Sequence, residues 1–105
     1  KFPLWLAPVQ VYVLPITNAF DGYATEVLRH LRSAGFRADG DFRNEKIGYK
    51  IRELSHQKIP VLFVVGQKEM ESGTVALRQL GQTNQEVLEL GQAIELLKER
   101  VESLR

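Results

Sequence analysis

Two apolar runs, Val9 to Ile16 and Val61 to Val65, set the strongest limit on how this chain can fold. Both are rich in β-branched side chains and show little alternation. That pattern marks strands covered on both faces, which are central and parallel. Parallel neighbours need a crossover, and two helical patterns lie between the runs. From Phe20 or Gly22 to Ala34, an apolar stripe runs through Ala24, Val27, Leu28 and Leu31. Thr17 and Asn18 offer capping oxygens before it, and Gly35 suits the position just past its end. Phe36 to Phe42 reads as a second, more polar strand nearer an edge. After Asn44, Ile47, Ile51 and Leu54 recur at helical spacing. Lys46, Lys50, Glu53 and Gln57 then fall on another, solvated face, and Pro60 ends the helix.

The second half of the chain is punctuated differently. Gly66 to Gly73 reads as a polar turn, and Thr74 to Leu80 as a fourth strand with Val75 and Leu77 on one face. Gln82 to Gln85 reads as a loop and Glu86 to Leu90 as a short fifth strand. Gly91 to Leu104 reads as a terminal helix with Ile94, Leu97, Val101 and Leu104 inward. The whole is an α/β fold, and its simplest sheet sets the first strand between the second and third, with the first two helices on opposite faces. A switch point then falls between strands one and three, and in such sheets ligands bind beyond the carboxyl ends of the strands. Those ends are Ile16-Thr17-Asn18, Asp41 to Asn44 and Gly66 to Glu69.

The 105 residues suffice for one domain with one core. The formal net charge of +1 favours no partner, so any electrostatic argument rests on local clustering. With no cysteine there is neither a disulfide nor a thiolate metal site, which suits a reducing cytosol. No apolar run is long enough to span a bilayer. The opening, Lys1 to Pro8, carries Phe2, Leu4, Trp5 and Leu6 together and reads as the middle of a longer chain.

Catalytic patterns are missing. There is no G-x-G-x-x-G after the first strand and no P-loop. His30 and His56 have no partner at metal-ligand spacing, and the serines lie in no nucleophile-elbow context. The acidic cluster of a phospho-acceptor domain would fall where this chain has Thr17 and Asn18. On its residues the chain is a binding module, with no catalytic residue and no metal site. The densest stretch is Asp41 to Glu53, where Arg43, Lys46, Lys50 and Arg52 meet Asn44, Phe42 and Tyr49. On charge alone its plain reading is a solvated helix face balanced by Glu45 and Glu53, with RNA binding as the alternative. Glu69 could accept from the paired N–H groups of a guanine edge, and Arg78 could donate to a base carbonyl or a phosphate.

Phe2 to Val11, Asp41 to Glu53 and Val64 to Arg78 resemble the C-terminal anticodon-binding domain of threonyl-tRNA synthetase, a class II aminoacyl-tRNA synthetase. The resemblance covers nearly the whole chain. The related prolyl, glycyl and histidyl enzymes share the fold and the Leu6-Ala7-Pro8 opening but not usually the run from Arg43 to Glu53. The resemblance implies a mixed five-stranded sheet flanked by three helices over residues 1–105, with 1–8 as an interdomain segment. It implies binding to the anticodon loop of tRNA(Thr), with contacts at Asn44, Lys58, Glu69 and Arg78. The two bases shared by all threonine anticodons, G and U, would be read by Glu69 on the guanine edge and by Asn44 and Arg78 on other groups. Arg43, Lys46, Lys50 and Lys58 would hold the RNA backbone. After Arg78, Gln79 to Asn84 lack the basic run that many family members carry there. The resemblance also implies a cytoplasmic, homodimeric parent ligase, with its ATP, magnesium, zinc and threonine sites in a catalytic domain before Lys1. The rival readings are an interaction or regulatory module without tRNA readout, and the anticodon domain of a related class II enzyme.

Overall fold

The computed structural model describes residues 9–43, 45–57, 59, 61–79 and 85–103, with side chains to residue 99. The elements in chain order are β1 (Val11–Pro15), α1 (Asp21–Ser33), β2 (Ala38–Gly40), α2 (Ile47–His56) and β3 (Val61–Val65), followed by α3 (Gln67–Ser72), β4 (Thr74–Gln79), β5 (Gln85–Glu89) and α4 (Leu90–Ser103). A single 3-10 turn, Asn18–Phe20, leads into α1. The sheet order is β2-β1-β3-β4-β5. β1 runs parallel to both neighbours, with Val11 opposite Ala38 on one side and Val61 on the other. β4 and β5 complete the mixed sheet by antiparallel pairing. The first strand thus lies between the second and third, as the sequence pattern predicts.

Alternation along the strands feeds two cores. Val11 and Val13 of β1, Val61, Phe63 and Val65 of β3, and Val75 and Leu77 of β4 face one layer. That layer is closed by Ala24, Val27, Leu28 and Leu31 of α1 and by Ala93 and Leu97 of α4. Leu14, Leu62, Val64 and Ala76 face the other, where Leu54 and Ile59 close the core and Ile47 and Ile51 pack against it. α1 and α2 therefore sit on opposite faces. β1 and β3 have no solvated face, which is why both read as apolar without alternation. Gly35 follows α1 at φ 94°, a conformation that a residue with a Cβ rarely adopts.

Two elements differ from the sequence expectation. β2 has only three ladder residues. Before it, Gln10 takes over the pairing: its amide donates to the Arg37 carbonyl and its side-chain oxygen accepts from the Arg37 amide. After it, the Asp41 amide still donates to the Val13 carbonyl, but the chain then bends to the Asp41 carboxylate. Residues 67–72 form a helix rather than a turn, which makes four α-helices among the described residues instead of three. α3 buries none of its residues, so it carries no apolar stripe to be read. A local bond holds it instead: the Glu69 carboxylate accepts from the Gly66 amide at 2.7 Å. Pro60, Val101 and Leu104, expected to end α2 and to line the last helix, lie outside the described backbone or side chains.

Phe63 is fully buried at the centre of the sheet, whereas Val87 on the edge strand is 63% exposed. Phe63→Ala is expected to cost about 3–5 kcal/mol and Val87→Ala less than about 0.5 kcal/mol. Urea unfolding followed by circular dichroism measures both.

Candidate nucleic-acid interface

The carboxyl ends of β1, β2 and β3 meet at one edge. A shallow cleft of about 260 Å³ opens there, lined by Ile16, Thr17, Asn18, Arg43, Glu45 and Lys46. The loop after β3 adjoins it: the Ile16 amide donates to the Val65 carbonyl, and a Cβ at Gly66 would stand 2.6 Å from Ile16 Cδ1 and 3.2 Å from Glu69 Oε1. A side chain at position 66 would have to displace the Ile16 tip and crowd the Glu69 carboxylate, so the bare glycine lets the first and third loops close together here. Thr17 caps the 3-10 turn by accepting from the Ala19 amide. Asn18 reaches both ways, donating to the Asp21 carboxylate at 3.1 Å and to the Phe42 carbonyl at 3.3 Å. Ile16, Tyr49 and Met70 expose apolar surface on the segments that end at this edge.

Below the cleft lies a polar circuit. The Asp41 carboxylate is buried and grips Arg43 in a fork, Nε to Oδ1 at 2.9 Å and Nη2 to Oδ2 at 2.7 Å. Nη1 of the same guanidinium meets Glu53 of α2 at 2.7 Å. The guanidinium also lies 5.7 Å over the Tyr49 ring, within cation–π range. The Arg43 hydrogen bonds hold the Asp41 carboxyl below its ordinary value against the opposing effect of burial. Glu53 is likewise lowered, chiefly by a hydrogen bond from Tyr49, whose own hydroxyl is raised by that bond.

Lys50 corrects the sequence reading most sharply. It was expected on the solvated face of α2, gripping RNA, yet it is only 1% exposed. Its ammonium donates to the Pro15 carbonyl at 3.3 Å and the Asp41 carbonyl at 3.0 Å. Burying an ammonium is costly unless it is paired and hydrogen-bonded, and this one is held at the ends of β1 and β2. Position 50 lies three residues after Ile47 and four before Leu54, beside the apolar stripe, and only its charged residue type sets it on the polar side. The lysine stem is buried, and its head finds the carbonyls at the ends of β1 and β2.

Of the remaining expected residues, Lys46 is exposed on the cleft and occupies the cap position of α2, where its side chain makes no capping bond. Arg43 also lines the cleft, but two carboxylates hold its charge. Glu69 is half-buried, with the Gly66 amide on one oxygen and no other hydrogen-bond partner among the described residues. Arg78 is half-buried on the α2 face of the sheet, opposite Leu62 and Gln85. That position is four residues along β4 from Thr74, or about 13 Å from the carboxyl edge. The structure thus gathers Arg43, Lys46 and Glu69 at one edge and sets Arg78 along the sheet from them. Asn44 and Lys58 lie outside the described residues, as do the Phe2 to Pro8 segment and the Leu80 to Asn84 part of the loop after Arg78. Sequence reasoning missed Asp41 and Asn18 as partners of this loop. Their signal was available in the Asp-x-Arg spacing and in an amide side chain at the end of a central strand.

Residues 10–100 match a family described as the anticodon binding domain. The chain belongs to the anticodon-binding domain family. Among curated relatives, this anticodon-binding domain is 58% identical over 97 residues to the threonine–tRNA ligase of Rhodospirillum rubrum, covering 92% of this chain and 15% of that one. Like its other high-identity relatives, that protein is far longer than the present chain. Among solved structures, the RNA binding domain of threonyl-tRNA synthetase from Cryptosporidium parvum Iowa II superposes with a TM-score of 0.91 at 35% identity, over 95% of this chain and 25% of that chain. Histidyl-tRNA synthetase from Nostoc sp. PCC 7120 gives 0.83 at 23% identity, over 90% of this chain and 23% of its own, and at that identity speaks for the fold alone. The mixed five-stranded sheet is therefore that of the anticodon-binding domains.

The circuit carries a pH dependence. Asp41 has a lower pKa folded than the ordinary 3.8, so the folded state binds fewer protons there than the unfolded chain. Its contribution to stability is complete above about pH 4 and is lost as the pH falls through the lowered value. Asp41→Asn is expected to cost about 1–3 kcal/mol at neutral pH and to make the decline below about pH 4 shallower. Acid titration of both proteins by circular dichroism checks this.

Proposed function

We propose that this domain binds the anticodon loop of tRNA(Thr) and so selects the tRNA for a threonine–tRNA ligase, which joins threonine to tRNA using ATP. The observation that carries the reading is Glu69. It sits at the carboxyl edge of the sheet, and the Gly66 amide fixes its carboxylate. A carboxylate held in one place near the cleft that Lys46 lines suits the two N–H donors of a guanine edge, and a fixed acceptor loses little freedom on binding. Lys46 then supplies phosphate contact, and Asn44, Lys58 and Arg78 complete the readout. The distance from the edge to Arg78 along β4 suits a run of splayed nucleotides better than a single small ligand.

In this reading the partner within the chain is a catalytic domain, and the parent is a cytoplasmic homodimer. ATP, magnesium, zinc and threonine belong to that catalytic domain. Among the described residues there is no group of three or more His, Cys, Asp or Glu side chains that could hold a metal ion. No helix among them is long and apolar enough to cross a membrane.

Filter binding tests the reading with a threonine-identity tRNA and a variant carrying A in place of the shared G. Glu69→Gln is expected to reduce the preference for G about tenfold or more. Lys46→Met should weaken both RNAs alike and lower the slope of log K against log salt by about 0.7–0.9. Undiminished preference for G in Glu69→Gln would remove Glu69 from the readout.

A further inference from the structure

The circuit beneath the cleft has a geometry that charge pairing alone does not require. Lys50 makes no side-chain fork; it spends its ammonium on two backbone carbonyls, Pro15 at the end of β1 and Asp41 just after β2. Asp41 then holds Arg43 through both carboxylate oxygens, and Arg43 reaches Glu53, three residues along α2 from Lys50. The ring closes on the helix where it began. From the other side, Asn18 donates to the Phe42 carbonyl. Phe42 and Arg43 are thus fixed from below by Lys50 through Asp41, from the helix side by Glu53, and from the α1 side by Asn18. The chain then passes to Glu45 and Lys46, both on the wall of the cleft.

We propose that Lys50 is a positioning residue for RNA readout: with the Asp41–Arg43–Glu53 circuit, it fixes the chain at Phe42 and Arg43, so that the cleft wall of Arg43, Glu45 and Lys46 presents its polar groups to the anticodon loop in one arrangement. This rests on the tRNA-binding reading above. Lys50 touches no RNA itself, being buried. Its effect falls on discrimination between bases, because a turn that can take several shapes still offers positive charge but no longer a fixed pattern of donors and acceptors.

The test uses the full-length protein that carries this domain. Two anticodon stem-loops serve as probes, one of threonine identity and one with A for the shared G, each titrated across a range of salt. For Lys50→Met, the ratio of the two affinities is expected to shrink about tenfold while the salt slope stays that of the wild type. A thermal scan establishes that the variant keeps a cooperative transition. Three results in the folded variant overturn the proposal: an unchanged ratio with unchanged affinities, an equal loss for both probes, or a slope reduced by about 0.7, the mark of a direct phosphate contact. If Lys50→Met loses its transition, Glu53→Gln decides, since it opens the circuit at a half-exposed carboxylate and leaves Lys50 in place. A reduced ratio in that variant supports the proposal, and a wild-type ratio overturns it. A wild-type protein that does not distinguish the probes removes the tRNA reading and this inference with it, a result unlike any confined to the variants.

Discussion

The fold depends on the burial of both faces of β1 and β3. Two neighbouring parallel strands with no solvated side demand a helix on each face, and the chain supplies them in its two crossovers. Once α1 and α2 are on opposite faces, the loops leaving β1 and β2 must diverge around the same edge. The cleft is the space left between them. Its walls follow from strand register and helix placement, so the position of the site is a consequence of the core.

Much of this was legible in the residues. The long unalternating runs gave the central strands, and the stripe from Ala24 to Leu31 gave α1 nearly to its ends. Gly35 marked the stop because a positive φ leaves few other choices. The third loop was illegible for a physical reason. α3 is held by local side-chain bonds, Glu69 accepting from the Gly66 amide and Gln67 donating to Glu71, and a helix that buries nothing leaves no periodic trace. Lys50 was misread for the opposite reason. A long aliphatic stem with a charged tip belongs to both phases, and only the carbonyls at the ends of β1 and β2 decide which end is served. The binding edge could be located from topology. The residues that shape it, Asp41 and Asn18, act through contacts between segments far apart in sequence.

Within the site, the structure separates groups engaged inside the protein from groups left open to a partner. Arg43 and Lys50 looked like two of the cations available to a polyanion, yet both are engaged within the protein. Lys46 remains open on the cleft wall, and Glu69 remains fixed with bonding capacity to spare. Under the proposed anticodon readout this division has a purpose: a loop that tells one base from another gains from rigid support beneath it, and the support is polar because it ties backbone to backbone at strand ends, where apolar packing has no grip.

The pairing of those charges also bears on how fast a partner arrives. Arg43 and Lys50 stand against Asp41 and Glu53, two positive groups matched by two negative at close range, so their fields cancel within a short distance of the surface. Such a cluster does little to draw a polyanion in from solution. With a net charge of only +1 on the whole chain, the domain lacks the strong steering field of a general RNA binder. Under the proposed function, encounter is then governed by diffusion, and selection between RNAs is expressed in how long each stays bound.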